Sequence, residues 1–229
     1  MTLFSKYSSI KKIFNICLLL VINVIFLTTS VIGETSFWKD FENNFSKSKG
    51  FQSNFNQEYY DSLQDKIIIS KGKFEYLNPG LMKWKYDSPE KLELIIGAEK
   101  VWIFDPELEN VTIQRLDLVG RIKILAFMNP KESLNKYYDV IKTEKNLLDK
   151  SKNNNIIYLR PKDKNLIFKE IQLAVNKVNY QIKQFVILEK QGSYRKITFS
   201  KIKTNLNLKP KDFEFIIKEG IEVIDAIDL

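Results

Sequence analysis

The sequence predicts a mainly β protein, an antiparallel sandwich or barrel, and three observations carry that expectation. Short apolar-rich segments recur between Ser70 and Leu116, each halted by a turn signal: Asn78-Pro79-Gly80, Asp87-Ser88-Pro89, Gly97-Ala98 and Asp105-Pro106. Proline pre-sets φ for a turn, and glycine and asparagine accept positive φ, so these breaks have a mechanism. Between them the side chains alternate, with Met82, Trp84 and Tyr86 on one face and Lys83 and Lys85 on the other. Phe74 and Tyr76 likewise oppose Lys73 and Glu75. A two-residue apolar period with basic residues outside describes a sheet wetted on one side only. No helical pattern of about 10–15 residues separates successive strands, which argues against parallel βαβ units.

Residues 1–33 read as a secretory signal. Lys6, Lys11 and Lys12 give a positive start, Ile13 to Leu27 an apolar core, and Val31-Ile32-Gly33 the residues before a cut. The run is short for a membrane span and carries Asn15 and Asn23, so a cleaved signal is expected, with an uncleaved anchor as the other outcome. Cys17 is the sole cysteine; it lies in the apolar core behind Ile16, where lipidation is not expected. Cleavage would leave a mature chain that can form no disulfide. It would also leave 33 of the 36 basic residues against 28 acidic ones, a net +5 instead of +8. The lysines are dispersed along strand faces and turns, so a solvated surface explains them and no nucleic-acid partner is expected. The remaining residues, 34–229, suffice for one sizeable core and are too few for two comfortable domains.

From Thr35 to about Lys49 the period changes. Phe37 or Trp38, Phe41 and Phe45 recur every three to four residues, which predicts an amphipathic helix capped by Ser36 and ended by Gly50. Strands are expected at Gly50–Tyr60, Lys66–Leu77, Leu81–Tyr86, Leu92–Ile96, Val101–Phe104 and Val111–Leu116. The rhythm then breaks: Ile122, Leu125, Ala126 and Met128 have helical spacing, Pro130 stops them, and Lys131–Tyr138 suits another short helical turn. Strands resume at Ile156–Arg160, Leu166–Val175, Tyr180–Leu188 and Tyr194–Lys201, with turns at Asn176–Asn179 and Lys190–Ser193.

Catalytic chemistry is nearly absent. Without histidine there is no imidazole base, His-based triad or His metal site. There is no P-loop, dinucleotide fingerprint or Gly-x-Ser-x-Gly elbow. Asp87, Asp105 and Glu107 stand beside prolines, where turn formation explains them. No enzyme activity, cofactor or metal is expected. What remains is an apolar surface. Strand parity nominates Phe51 and Phe55, then Phe74 and Tyr76, then Met82, Trp84 and Tyr86. Leu92 and Leu94, Val101 and Ile103, and finally Val111 continue it on the next three strands. Phe41 and Phe45, with Ile122, Leu125 and Met128, are placed to form a lid. For any one of these residues taken singly, ordinary core packing is the safer reading than a ligand cavity.

Several of these motifs resemble the LolA family, periplasmic carriers of outer-membrane lipoproteins. The resemblance rests on Gly72-Lys73-Phe74, Asn78-Pro79-Gly80, Met82-Lys83-Trp84-Lys85-Tyr86 and Ser88-Pro89, followed by the run Gly97 to Pro106. Phe51 to Gln57 matches the family's early Phe-x-Ala-x-Phe-x-Gln strand, and Phe213-Glu214-Phe215 with Gly220 to Asp225 matches its ending. The resemblance implies an incomplete, unclosed antiparallel β-barrel of about eleven strands with a helical lid. It implies a monomeric periplasmic carrier of acylated lipoproteins, loaded by an inner-membrane ABC transporter of the LolCDE type and unloaded by a LolB-like outer-membrane receptor. A generic lipid or glycolipid carrier, or an envelope-stress sensor of the same fold, is the rival. The family's arginine before the loop proline is replaced by Asn78, which is neutral and shorter, so its hold on a lid is expected to be weakened or moved.

Overall fold

The structure, a computed structural model, describes residues 37–115, 134–141, 147–148, 151–204 and 206–225. The chain divides into two compact units, Met1–Phe41 and Glu42–Leu229, with the division inside helix α1, residues 37–47. The signal segment lies outside the described residues, and so do Ile122, Leu125 and Met128. Among the described residues no helix is long and apolar enough to cross a membrane.

Among the described residues twelve strands form one sheet. In chain order they are β1 (Gly50–Asp61), β2 (Lys66–Leu77), β3 (Leu81–Ser88), β4 (Leu92–Ile96), β5 (Lys100–Asp105) and β6 (Asn110–Arg115). Then come β7 (Tyr138–Ile141), β8 (Asn154–Pro161), β9 (Phe168–Asn176), β10 (Ile182–Glu189), β11 (Tyr194–Thr204) and β12 (Glu222–Asp225). Their spatial order is β12-β6-β5-β4-β3-β2-β1-β11-β10-β9-β8-β7, so two meanders join where β1 pairs with β11 and the outer strands β12 and β7 never meet. The sheet is unclosed. The expected turns bind it locally: Asp105 Oδ1 accepts from the amides of Glu107 and Leu108, and Asn176 Oδ1 from those of Val178 and Asn179.

Four expectations change. Tyr138 belongs to β7, and within the described part of Lys131–Tyr138 a 3-10 turn spans Leu134–Lys136. Helix α1 stops at residue 47, and Gly50 opens β1 instead of capping the helix. A twelfth strand pairs in parallel with β6, Glu222 opposite Asn110 through Asp225 opposite Ile113. The sheet is also not wet on one whole face. The even-numbered positions of β1 and the odd-numbered ones of β3 and β4 mark the back face, and over β3–β5 Leu208, Phe213 and Phe215 cover it. There Phe213, fully buried, packs with Leu81 and Ile95, and Leu77, Trp102, Leu208 and Phe215 close around them. A second back-face cluster joins Leu148 to Ala174 and Val186.

The front face curls in on itself. In sheet order β3 and β10 stand four places apart, which in a flat sheet at about 4.8 Å per strand would separate them by roughly 19 Å. Yet the rings of Trp84 and Phe185 lie 6.5 Å apart, and those of Trp84 and Phe199 6.2 Å. Only strong curvature toward this face brings them together.

Candidate functional site

Aromatic rings fill the middle of the hollow. Phe74 stacks on Phe199 at 5.1 Å and meets Trp84 at 4.1 Å, while Phe55 sets its edge on Trp84 at 5.1 Å and on Tyr86 at 5.0 Å. Phe51 reaches Phe74, Tyr76 and Phe199 within 5.8 Å. Strand pairing aligns these residues: Phe74 faces Trp84 across β2 and β3, and Trp84 faces Leu94 across β3 and β4. Such edge-on and offset contacts suit ring quadrupoles and hold the pile in a defined arrangement.

Two hollows flank the pile. The larger, about 440 Å³, is walled by Trp84, Tyr86, Leu94, Phe168, Phe185, Ile187 and Ile197, with Ile167 at its margin. Gln57, Tyr59, Glu189 and Arg195 supply its polar atoms. That volume falls in the range of small-molecule pockets, about 300–1,000 Å³. The smaller, about 280 Å³, lies where Phe45, Ser48 and Phe51 meet the β9–β10 turn at Tyr180 and Ile182. Phe45 also stacks on Tyr76 at 5.5 Å, so the last turn of α1 covers the end of β2's aromatic row. Asn78 ties that end of the helix down: its Nδ2 donates to the carbonyls of Ser46 and Ser48, each at 2.8 Å. The neutral side chain therefore still grips helix backbone.

The nominated residues divide as follows. Trp84, Tyr86 and Leu94 line the larger hollow and Phe51 the smaller. Phe55, Phe74, Tyr76 and Met82 are buried in the pile, and Leu92, Val101 and Ile103 share its face by register. Val111 is a correction. Ile103 pairs with Thr112, so Val111, opposite Phe104, points to the back, where Phe104 meets Phe215 at 4.9 Å. Apolar alternation reports burial, and here both faces are buried. Phe41 is buried on α1 beside Trp38, with ring centroids 5.7 Å apart.

Sequence reasoning missed the wall from β9–β11. In β11 the signal was present, since Arg195, Ile197 and Phe199 alternate. In β10 it was hidden, because Phe185 to Leu188 is an unbroken apolar run. Electrostatics within the larger hollow are sparse. The Tyr86 hydroxyl donates to Gln57 Oε1 at 3.2 Å, and burial raises its pKa while the nearby Arg195 charge opposes that rise. Among the described residues no group of three or more acidic, His or Cys side chains is placed to hold a metal.

Several known proteins are similar to this chain in sequence. An outer-membrane lipoprotein carrier protein of Pseudomonas paraeruginosa is 28% identical over 181 residues, covering 78% of this chain and 83% of the relative. Another, from Francisella tularensis subsp. novicida, is 25% identical over 175 residues, covering 76% and 80%. An uncharacterized conserved protein from Thermus thermophilus superposes with a TM-score of 0.50 at 13% identity, over 84% of this chain and 98% of that one, which speaks to fold alone. The model of the family described as outer membrane lipoprotein carrier protein LolA matches residues 46–216, more than half of the chain, and the protein belongs to that family.

Proposed function

We propose that this chain carries acylated lipoproteins across the periplasm, sheltering their acyl chains in the front-face hollow, with residues 34–229 acting as one domain after a leader is removed. It takes cargo released from the inner membrane by an ABC transporter and yields it to an outer-membrane receptor. Its family is one of carriers, not of enzymes. The observation that supports this most directly is the 440 Å³ hollow, walled mainly by apolar side chains and left unfilled by a sheet that does not close.

Solvation energetics define the task. At about 0.8 kcal/mol per methylene, one acyl chain of ~14 methylenes costs on the order of 11 kcal/mol to leave in water. A carrier offsets much of this, yet holds cargo less tightly than the next acceptor does. Trp84, only 4% exposed and shared between the ring pile and the hollow's wall, is where a charge would most disturb that shelter. The test measures transfer of lipoprotein from inner-membrane vesicles to the soluble fraction, with native mass spectrometry of the product. Wild type should form a stoichiometric complex and Trp84→Glu should lose it at least about tenfold, a buried unpaired carboxylate being costly. Retention of phospholipid with no lipoprotein released would instead make this a general lipid carrier.

A further inference from the structure

Arg195 is a charge in an apolar place. Its strand neighbours across the sheet are Tyr59 on β1 and Ile187 on β10, so register sets no carboxylate beside it. Its guanidinium carbon lies 4.4 Å from the centre of the Tyr59 ring. Its Nε is buried with no hydrogen-bond partner, and among the described residues no ion pair includes it. Glu189 lines the same hollow, but its carboxylate accepts from Gln191 Nε2. A guanidinium presents donors in a planar fork that matches carboxylate and phosphate oxygens, and a buried donor left unpaired is unfavourable. Around it, the Tyr86 hydroxyl and Gln57 supply further polar atoms, and Trp84 and Phe185 continue the wall into hydrocarbon-like surroundings.

We infer that Arg195 is the head-group subsite of the larger hollow, recognising the carboxylate or phosphate of an anionic amphiphile whose tail lies along Trp84 and Phe185. This rests on the reading of the hollow as an acyl-chain site, and it names a ligand class that a purely apolar shelter would not select. Tyr59 stacks on one side of the guanidinium and holds it in place, and the donors left for the anion are those by which Arg195 lines the hollow.

Competition against a neutral naphthylamine dye tests it, using wild type, Arg195→Gln and Arg195→Lys with hexadecanoate, hexadecyl phosphate, hexadecanol and inorganic phosphate. Wild type should bind one or both anionic amphiphiles about tenfold or more tighter than hexadecanol, as charge-assisted pairing in a partly dry site allows. Which anion gains more identifies a fatty-acid or a phospholipid-like head. Arg195→Gln should erase that preference while leaving hexadecanol within about twofold, and Arg195→Lys should keep part of it. Inorganic phosphate competing as well as the amphiphiles overturns the proposal in favour of a free-anion site. Equal loss of hexadecanol binding in Arg195→Gln overturns it too, because packing would then explain the residue. If wild type binds the three long-chain compounds alike, the subsite is wrong and the carrier reading stands; if none displaces the dye, both fall.

Discussion

Gly72 shows how a single missing side chain shapes the hollow. It pairs with Phe55 on β1 and stands where β2 slips in register against β3, between Lys71 and Gly72. A Cβ there would lie 2.0 Å from the Lys85 carbonyl oxygen and 2.8 Å from Phe55 Cε1. The first obstacle is backbone and cannot swing away. Phe55 uses the vacant space to reach Trp84 and Tyr86, so the glycine, the bulge and the aromatic pile form one local solution. Gly72→Ala should therefore cost at least as much as ordinary core overpacking, about 1–3 kcal/mol, read as a fall in the urea midpoint with unchanged slope. A variant as stable as wild type would mean that β3 yields there at no cost. Gly97 is crowded too, but its nearest obstacle is the Trp102 ring, which can shift.

Among the elements, the end of α1 depends on a partner far along the chain. The last helical carbonyls have no amide within the helix to satisfy them, and Asn78 donates to Ser46 and Ser48 while its own amide donates to the Lys49 carbonyl at 2.9 Å. Asn78→Ala should leave those acceptors to water and cost about 1–2 kcal/mol, with faster amide exchange confined to residues 42–49. Asn78→Asp should be worse, since a carboxylate would face carbonyl oxygens. Unchanged exchange in both variants would show that the Phe45–Tyr76 contact alone secures this turn. That Asn78 could replace a longer cation was not legible in the sequence, because the distance to the helix end is a tertiary fact. The strands were largely legible: β2 and β4 begin and end where turn residues and alternation put them, and the front-face parity of β1–β5 follows. Val111 was not, because Asn110–Arg115 alternates normally while its apolar side is the back, where the neighbouring Phe104 meets Phe215. Periodicity reports which side is buried, and nothing in it says which of two buried sides faces the cavity.

At the scale of the whole molecule, the described residues pack apolar clusters on the back of one sheet and a ring pile on its front. β12 illustrates what the sequence conceals at this scale. Its four exposed residues carry no alternation, and its parallel pairing with β6 follows the packing of Phe213 and Phe215 on the back of β3–β5. Cooperativity across this sheet has a readout in tyrosine ionisation. Tyr76 on β2, Tyr138 on the edge strand β7 and Tyr194 on β11 all have pKa values raised above the ordinary value near 10, with burial as the leading cause. For Tyr76 a hydrogen bond with the Gly80 backbone acts the other way, and Tyr194 rises to about 12 with help from Glu58, whose carboxylate accepts from its hydroxyl at 2.6 Å. A raised pKa means that the folded state favours the neutral phenol. This contribution to stability is complete below the unfolded value and drains away as pH climbs above it, through about 12 for Tyr194. The urea midpoint should thus fall steeply between about pH 10 and 12, and the part of the phenolate absorbance due to Tyr76, Tyr138 and Tyr194 should rise together with loss of structure. Tyr194→Phe should be less stable at neutral pH, having lost the Glu58 hydrogen bond, yet show a shallower alkaline decline. A decline as steep as that of wild type would place the proton release elsewhere in the sheet.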